Sequence, residues 1–418
     1  MIPELTLSSP MTPGGAPSWP GAVWIGVADI AELIRQGRSG QFLGVVPDAE
    51  GYTSARVLIR DGLTPLQFAQ VSLIGGRALL PIPPTGDPVT TSALPPMSVV
   101  LCTRERPEDL RGALDSLLRV DYPEFEIIVV DNAPVTDGTE RVVATFDDPR
   151  VRRIVEPVAG LSMARNAGIR AARHDIIAYT DDDVVADPGW LRGLAAGFAC
   201  ADDVGCVAGL VPSGELRTLP QAYFDWRVSW GDNIEPRVYR LSDPPDDVPL
   251  FPFQIGRFGT GANFAVRREV IVDLGLFDER LGAGTATRGG EDLDVFFRVL
   301  ASGHSLAIEP ASIIWHRHRS DNDALLSQAR GYGTGLGAWL TKVALDRDHR
   351  RLALSVLRHR RRAVARAGRA YCAIAAPPPA FLKDVPHTVG RTEVLSVLAG
   401  PKALWQEQRR LRTRQNHP

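Results

Sequence analysis

The chain has 418 residues and a formal charge of −2, with 44% hydrophobic and 23% charged residues. This composition is typical of a soluble globular protein of two to four domains. The four cysteines form no CxxC pair, which argues against a cysteine zinc cluster and a disulfide scaffold. No apolar run approaches the roughly 18 residues of a membrane span, and the first residues lack the features of a secretory signal. We therefore expect a cytoplasmic protein with no nucleic-acid partner.

The first part of the chain predicts a leader and a small module. Residues 1–20 are rich in proline and indicate a flexible leader. Residues 21–83 alternate short apolar runs with turn signals such as Asp61-Gly62, which predicts a β-rich module. Residues 84–96, with several prolines and threonines, indicate a linker. Nothing in this region reveals its chemistry.

From residue 97 onward, apolar strands alternate with amphipathic helices. Strands are predicted at 97–102, 126–130, 151–155 and 176–180. Such alternation indicates βαβ units, and so an α/β domain over 97–325 with a mostly parallel sheet flanked by helices.

The last part of the chain, residues 326–418, is predicted to be helical and rich in arginine. Since Arg-rich amphipathic helices bind anionic lipid, peripheral contact at the inner membrane face is one expectation. The alternative is a solvated face packed on the α/β domain. The segment 331–338 (GYGTGLGA) has dinucleotide-loop spacing but follows a helical stretch, so a helix-packing or loop role is expected.

Polar residues occupy the carboxyl ends of the predicted strands, where parallel sheets bind ligands. Thr103, Asp131 and Asp181 all hold such positions. Asp181 opens the run Asp181-Asp182-Asp183, and carboxylates at i and i+2 can share a divalent cation that bridges two phosphate oxygens. The alternative is a solvated acidic turn, but the position at a strand end favours the cation site.

Four segments occur in a fixed order: 98–106 (SVVLCTRER), 126–132 (EIIVVDN), 160–168 (GLSMARNAG) and 181–183 (DDD). With this set the chain resembles family 2 glycosyltransferases of the GT-A fold over roughly residues 97–320. The resemblance implies a nucleotide-sugar-binding half and an acceptor half on one continuous sheet. It also implies inverting transfer of a sugar from a nucleotide-diphosphate sugar to an acceptor hydroxyl, with Mn²⁺ or Mg²⁺ as cofactor.

The resemblance assigns roles in the donor half. Thr103 and Arg104 would lie beside the nucleotide, and Asp131 would accept a hydrogen bond from the base or ribose. Since uracil offers an imide N–H, Asp131 favours a UDP- or dTDP-sugar. Arg165 and Asn166 would face the nucleotide and its diphosphate, because a guanidinium binds phosphate oxygens through two donors. The alternative for Arg165 is an ordinary exposed helix arginine.

The same resemblance suggests the metal ligands. Asp183 would bind the ion, while Asp181 would lie nearer the ribose or the metal waters and Asp182 beside the nucleotide sugar. The segment W-H-R-H adds an imidazole, with His316 as the first choice and His318 as the second.

The acceptor half contributes a loop and two carboxylates. Gly261 would lie under the donor sugar, where a small residue lets the backbone approach, unless its loop is a plain turn. The acceptor hydroxyl must lose a proton, and the resemblance makes Asp292 the base. Glu291 would contact the acceptor or exchange roles with Asp292. The alternative for this pair is a helix N-terminus that favours negative charge.

Two other classes of protein stay open. A transferase-like binding or scaffold protein would not need the DxD, ED and HxH set, which is present here. A nucleotidyltransferase would need a glycine-rich loop after the first strand, where this chain has CTRERPEDL. The sequence does not identify the sugar, and both a lipid-linked and a polysaccharide acceptor stay open.

Overall fold

The computed structural model describes residues 2–85, 88, 89, 93–228, 230, 231, 233–374, 376, 378–386 and 388–416. Its amino-terminal elements are β1 (Glu4–Thr6), β2 (Val23–Asp29), α1 (Ala31–Arg35), β3 (Gly40–Val45), β4 (Ser54–Asp61), β5 (Thr64–Ser72) and β6 (Arg77–Ile82). They form two small sheets with the orders β1-β3-β6 and β2-β4-β5, which confirms the β-rich module. Strand β1 lies in the segment expected to be a flexible leader and pairs in parallel with β3. Of the expected linker, residues 86, 87 and 90–92 lie outside the described residues.

The central part of the chain builds one large sheet. Its elements are β7 (Met97–Thr103), α2 (Pro107–Leu117), β8 (Phe125–Asn132), α3 (Gly138–Val143), β9 (Val151–Glu156), α4 (Leu161–Ala171), β10 (Ile176–Thr180), β11 (Val184–Ala186), α5 (Trp190–Ala199), β12 (Val204–Leu210), α6 (Leu219–Val228), β13 (Arg237–Tyr239), β14 (Phe264–Arg267), α7 (Arg268–Asp273), α8 (Glu291–Ala301) and β15 (Ser305–His316). The sheet has the order β11-β15-β12-β14-β10-β7-β8-β9, with β13 paired to β15. Strands β10, β7, β8 and β9 are parallel neighbours, whereas β14 is antiparallel to both β10 and β12.

Helices cover both faces of this sheet because its strands are apolar on both sides. In β7, Val100 packs into the core that includes residues of α4 and α8. Val99 and Leu101 point the opposite way, into the core that includes residues of α2 and α5. Burial on both faces is typical of parallel sheets, and the predicted α/β class is confirmed. Because β7, β8 and β10 are parallel neighbours, their carboxyl ends lie at the same edge of the sheet.

The carboxyl-terminal part is helical, as predicted, with α9 (Asn322–Leu345), α10 (Arg347–His359), α11 (Arg361–Ala373), α12 (Thr388–Ser396) and α13 (Gly400–Asn416). Helix α9 packs closely on the loop that precedes α8. The glycine at position 335 makes this possible, since a Cβ atom there would lie only 2.6 Å from the carbonyl carbon of Gly289. Gly333 and Gly337 approach other backbone segments as closely, at Glu393 and Val397. The GYGTGLGA segment is thus a helix-packing motif. Among the described residues, no helix is long and apolar enough to cross a membrane.

Candidate active site

A cavity of about 880 Å³ opens at the shared edge of β7 and β10. Most of the residues that the sequence singles out line it: Thr103, Arg104, Arg165, Asp181, Asp182, Asp183, Gly261, Glu291, Asp292 and His316. They come from segments that lie up to two hundred residues apart in the chain. The fold therefore brings the predicted donor and acceptor residues to one place.

Two carboxylates and one imidazole form a candidate metal site in this cavity. Asp181, Asp183 and His316 each offer one ligand atom, and these atoms all lie within 4.8 Å of one another. Strand pairing explains the arrangement, since β11 follows Asp183 directly and pairs Val184 with His316 on β15. Carboxylate oxygens with an imidazole nitrogen suit Mn²⁺, and the oxygens suit Mg²⁺. The donor set thus fits the expected cofactor.

Asp183 is held as a carboxylate by positive neighbours. Its Oδ1 lies 3.3 Å from His316 Nε2, and its Oδ2 lies 3.3 Å from Arg106 and 3.1 Å from Arg319. Burial alone would raise the pKa of Asp183, but the charge and hydrogen bond of His316, with the two arginines, lower it. Sequence reasoning missed Arg106 and Arg319, although each lies two or three residues from a predicted site residue.

Asp182 points to a structural partner rather than to this cluster. The Thr103 hydroxyl donates to its Oδ2 at 2.7 Å, and Arg106 forms an ion pair with its Oδ1. Burial raises the pKa of Asp182 to about 7. Because Asp182 joins the end of β7 to the turn after β10, it fixes the geometry of the acidic run.

Arg165 is a buried centre of the site, not an exposed helix arginine. Its side chain is 2% exposed and lies in α4. Its Nη1 lies 3.2 Å from Glu291 Oε1. Its Nη2 donates a hydrogen bond to the Gly261 carbonyl at 2.9 Å and lies 3.7 Å from Asp181 Oδ1. Arg165 therefore connects the candidate metal site with the acceptor loop.

The two carboxylates at the start of α8 have different environments. Asp292 accepts hydrogen bonds from the backbone N–H groups of Gly261 at 2.9 Å and Leu293 at 2.8 Å. Glu291 binds Arg165 through one oxygen, and its Oε2 is buried without a partner among the described residues. Burial, with the charge of Asp292, raises the pKa of Glu291 to about 7. Asp292 is thus held in place by two backbone N–H groups, whereas Glu291 binds a proton more readily than an ordinary glutamate does.

Two predicted donor residues, Asp131 and Asn166, are not among the described residues that line the cavity. Asp131 lies beside Thr103 in the register of β7 and β8, but it is fully buried and paired with Arg153 at 2.9 Å. Its Oδ1 has no partner among the described residues. Asn166 instead holds a loop, exchanging two hydrogen bonds with the backbone of Phe277.

A chain of hydrogen bonds supports the imidazole of the candidate metal site from behind. His316 Nδ1 lies 3.0 Å from His318 Nδ1, and His318 Nε2 lies 2.7 Å from Ser213 Oγ. The Ser213 hydroxyl donates to Asp225, which accepts from Arg56 of β4 at 2.9 Å. His318 is therefore the supporting histidine, and the chain ends in the amino-terminal module.

Comparison with known proteins identifies the class to which this site belongs. Residues 98–275 match the model of glycosyl transferase family 2, and this segment is a domain of that family. The match includes the acidic run and Arg165 but ends before Glu291, Asp292 and His316. These three residues are linked to the family segment by the geometry of the cavity.

Two relatives show the range of similarity. The chain is 26% identical over 307 residues to the pre-mycofactocin glycosyltransferase of Mycobacterium tuberculosis, covering 71% of this chain and 57% of the relative. It is 30% identical over 237 residues to the succinoglycan biosynthesis protein ExoO of Rhizobium meliloti, covering 55% of this chain and 63% of the relative. The chain thus spans less than two thirds of either relative.

Among solved structures, the chain is similar to a mannosyltransferase from Pyrobaculum calidifontis in complex with GDP-Man and Mn²⁺. The TM-score is 0.49 at 18% identity, covering 75% of this chain and 88% of that one. A similarity at this level carries no inference about the ligands of this chain.

Proposed function

We propose that this chain is a metal-dependent, inverting glycosyltransferase that moves a sugar from a nucleotide-diphosphate sugar to an acceptor hydroxyl. One observation carries the proposal: a single cavity holds both the cluster of Asp181, Asp183 and His316 and the anchored carboxylate of Asp292. An ion site for a diphosphate and a base for a hydroxyl are the two groups that such a transfer requires.

In the proposed reaction, Asp292 accepts the proton of the acceptor hydroxyl. The acceptor oxygen then bonds to the anomeric carbon, and the bond from that carbon to the diphosphate breaks, leaving the electron pair on the nucleoside diphosphate. A divalent ion held by Asp181, Asp183 and His316 would neutralise this developing charge. Attack from the face opposite the leaving group inverts the anomeric centre. The backbone N–H groups of Gly261 and Leu293 orient the base for this step.

We also propose that the donor carries uracil or thymine. The support is Asp131, whose buried Oδ1 lacks a partner among the described residues and whose backbone is in register with Thr103, a residue that lines the cavity. A single carboxylate oxygen can accept from the one imide N–H of either base, whereas guanine brings two adjacent N–H donors that would require both oxygens, and Arg153 already occupies one of them.

Thermal unfolding with UDP, dTDP, GDP or CMP, each with and without Mn²⁺ or Mg²⁺, tests these proposals. A ligand that binds only the native state raises the unfolding midpoint. We expect a metal-dependent rise with UDP or dTDP that is lost in Asp183→Asn and retained in Asp115→Asn, a matched change at an exposed carboxylate on α2. If no nucleotide raises the unfolding midpoint, the transferase proposal is contradicted. A rise with GDP alone would contradict the base preference.

A further proposal concerns location. We propose a cytoplasmic protein that contacts the inner membrane face through α10, which has no buried residue and exposes Leu354 and Leu357 by 43% and 44% between arginines. Anionic lipid complements this charge. Co-sedimentation with phosphatidylglycerol vesicles at 0.1 M salt, but not with phosphatidylcholine vesicles, is the expected result. Equal sedimentation with both would contradict it.

A further inference from the structure

The active-site cavity has a second, apolar side that the proposed sugar transfer does not use. Its surface, called the apolar wall below, is made by the turn after α6, by α9 and by the carboxyl end of α11. The wall consists of Trp230, Tyr332, Leu336, Trp339, Tyr371 and Ile374. None of these residues belongs to the motifs of the donor half. The apolar wall is therefore a part of the cavity to which the nucleotide-binding motifs give no role.

The apolar wall lies next to the groups that would perform the chemistry. The ring of Trp230 is 6.2 Å from the ring of His316 and 6.4 Å from that of Tyr332. Tyr332 belongs to the glycine-rich part of α9 that packs on Gly289 and Gly290, the two residues before Glu291-Asp292. A molecule resting on the wall would thus lie between the candidate metal site and the candidate base, where an acceptor is required.

Two residues of the wall, and Gln328 on the same helix as Tyr332, carry polar atoms that have no partner in the part of the chain that the structure describes. Trp339 Nε1, Tyr371 OH and Gln328 Oε1 are buried and lack hydrogen-bond partners among the described residues, and all three side chains line the cavity. Trp339 is only 1% exposed. A buried polar group left unpaired destabilises a folded protein, so a ligand that pairs with it gains affinity. Together the three atoms form a complement for a ligand with polar groups of its own.

Two charged residues at the wall are not free for a ligand. Arg227 and Glu393 line the cavity and form an ion pair with each other. A cavity of about 880 Å³ is within the roughly 300–1,000 Å³ that holds one drug-sized ligand, and here a nucleotide sugar shares the space. Long glycans and long lipid chains are both poor matches.

We infer that the acceptor is a compact molecule with an apolar, preferably aromatic, ring system, a hydroxyl that receives the sugar, and a hydrogen-bond acceptor for the Trp339 N–H. This inference deepens the proposed function and rests on it, because Asp292 must take the proton of that hydroxyl as the new bond to the anomeric carbon forms. The aromatic rings of the wall would pack on the ring system of the ligand.

Isothermal titration with three β-D-glucosides tests the inference, each with UDP and Mn²⁺ present and again without them. The probes are 4-methylumbelliferyl, methyl and octyl β-D-glucoside, which differ only in the group beside the sugar. We expect the aryl probe to bind at least about tenfold more tightly than the methyl probe, because its ring system buries more apolar surface. Trp339→Phe, which keeps a ring but removes the N–H, should weaken the aryl probe several-fold and leave the methyl probe unchanged. Trp405→Phe, at a ring that is 57% exposed on α13, should change neither.

Each other ranking overturns the inference. Equal binding of aryl and methyl probes would show that the wall does not recognise a ring, and tightest binding of the octyl probe would assign the wall to a lipid chain. These rankings in the wild-type protein do not depend on any variant folding. If the aryl preference holds while no nucleotide raises the unfolding midpoint, the proposed transfer fails and the apolar site stands. If nucleotides bind but the aryl probe is not preferred, the donor site is supported and the inference of a compact aromatic acceptor is wrong.

Discussion

Above pH 7, where Glu291 is ionised, replacing Arg165 with methionine is expected to destabilise the protein by about 3–5 kcal/mol, because a buried ion pair loses one partner. The guanidinium lies 3.2 Å from Glu291 Oε1. At that distance and an effective dielectric constant of about 20, the pair interacts by about 5 kcal/mol. The change would leave Glu291 buried with neither oxygen paired, since its Oε2 already lacks a partner among the described residues.

Methionine keeps much of the apolar packing at this position. The guanidinium carbon lies 5.5–5.9 Å from the ring centroids of Tyr179, Phe264 and Phe277, so a flexible thioether fills the same region. The loss in Arg165→Met should therefore come mainly from the unpaired carboxylate of Glu291.

Urea unfolding of four proteins separates these effects: the wild type, Arg165→Met, Glu291→Gln and the double variant. If the unpaired charge is the cause, Glu291→Gln should restore at least about 2 kcal/mol when added to Arg165→Met. Strictly additive losses would refute the reasoning. A loss below about 1 kcal/mol in Arg165→Met would mean that the arginine is solvated, as an ordinary surface arginine is.

Three further changes test the site. Asp292→Asn should lower kcat by about 10²–10⁴-fold with little change in the KM for the donor, because it removes the base; a loss under tenfold in steady-state kinetics would contradict that role. Burial raises the pKa of Glu291 from 4.5 to about 7, so the native state binds this proton more tightly than the unfolded chain does. The free energy of unfolding should therefore fall by about 3 kcal/mol as pH rises from 4.5 to 7, because the native state must then lose that proton or keep it at a cost. Glu291→Gln should remove this pH dependence in urea unfolding, and parallel curves for the two proteins would contradict it. His318→Gln should weaken Mn²⁺ binding about 10–100-fold by titration calorimetry, because it removes the support behind His316, and unchanged affinity would show that His316 does not depend on that support.

The sequence predicts the strands and the residues at their ends well, because apolar runs and the dipeptides that follow them are local signals. Asp181 and Asp183 could be selected for that reason, whereas Asp292, in the first turn of α8, is assigned through the family resemblance. The partners of these residues are different, since Arg319 reaches Asp183 only after β15 has paired with β11. No local pattern encodes such a meeting of distant segments.

The same limit explains where Asp131 and Asn166 differ from simple expectation. Each occupies the predicted position in its motif, but Arg153 from the neighbouring strand pairs with one oxygen of Asp131, and Phe277 from a distant loop takes up the amide of Asn166. The apolar wall was equally invisible, because Trp230 lies in a turn after α6, Trp339 in α9 and Tyr371 in α11, and these segments carry no shared motif.

The hydrogen-bonded chain from Arg56 to His316 makes the amino-terminal module a structural partner of the candidate metal site. The module contains none of the transferase motifs, yet its Arg56 neutralises Asp225 at the base of that chain. A chain shortened to residues 97–325 would keep Asp181, Asp183 and His316 and still lose Arg56, which ends the chain of hydrogen bonds behind the imidazole. The geometry of the candidate metal site therefore depends on a module that supplies none of its ligands, and a change in that module can alter the site while every ligand stays the same.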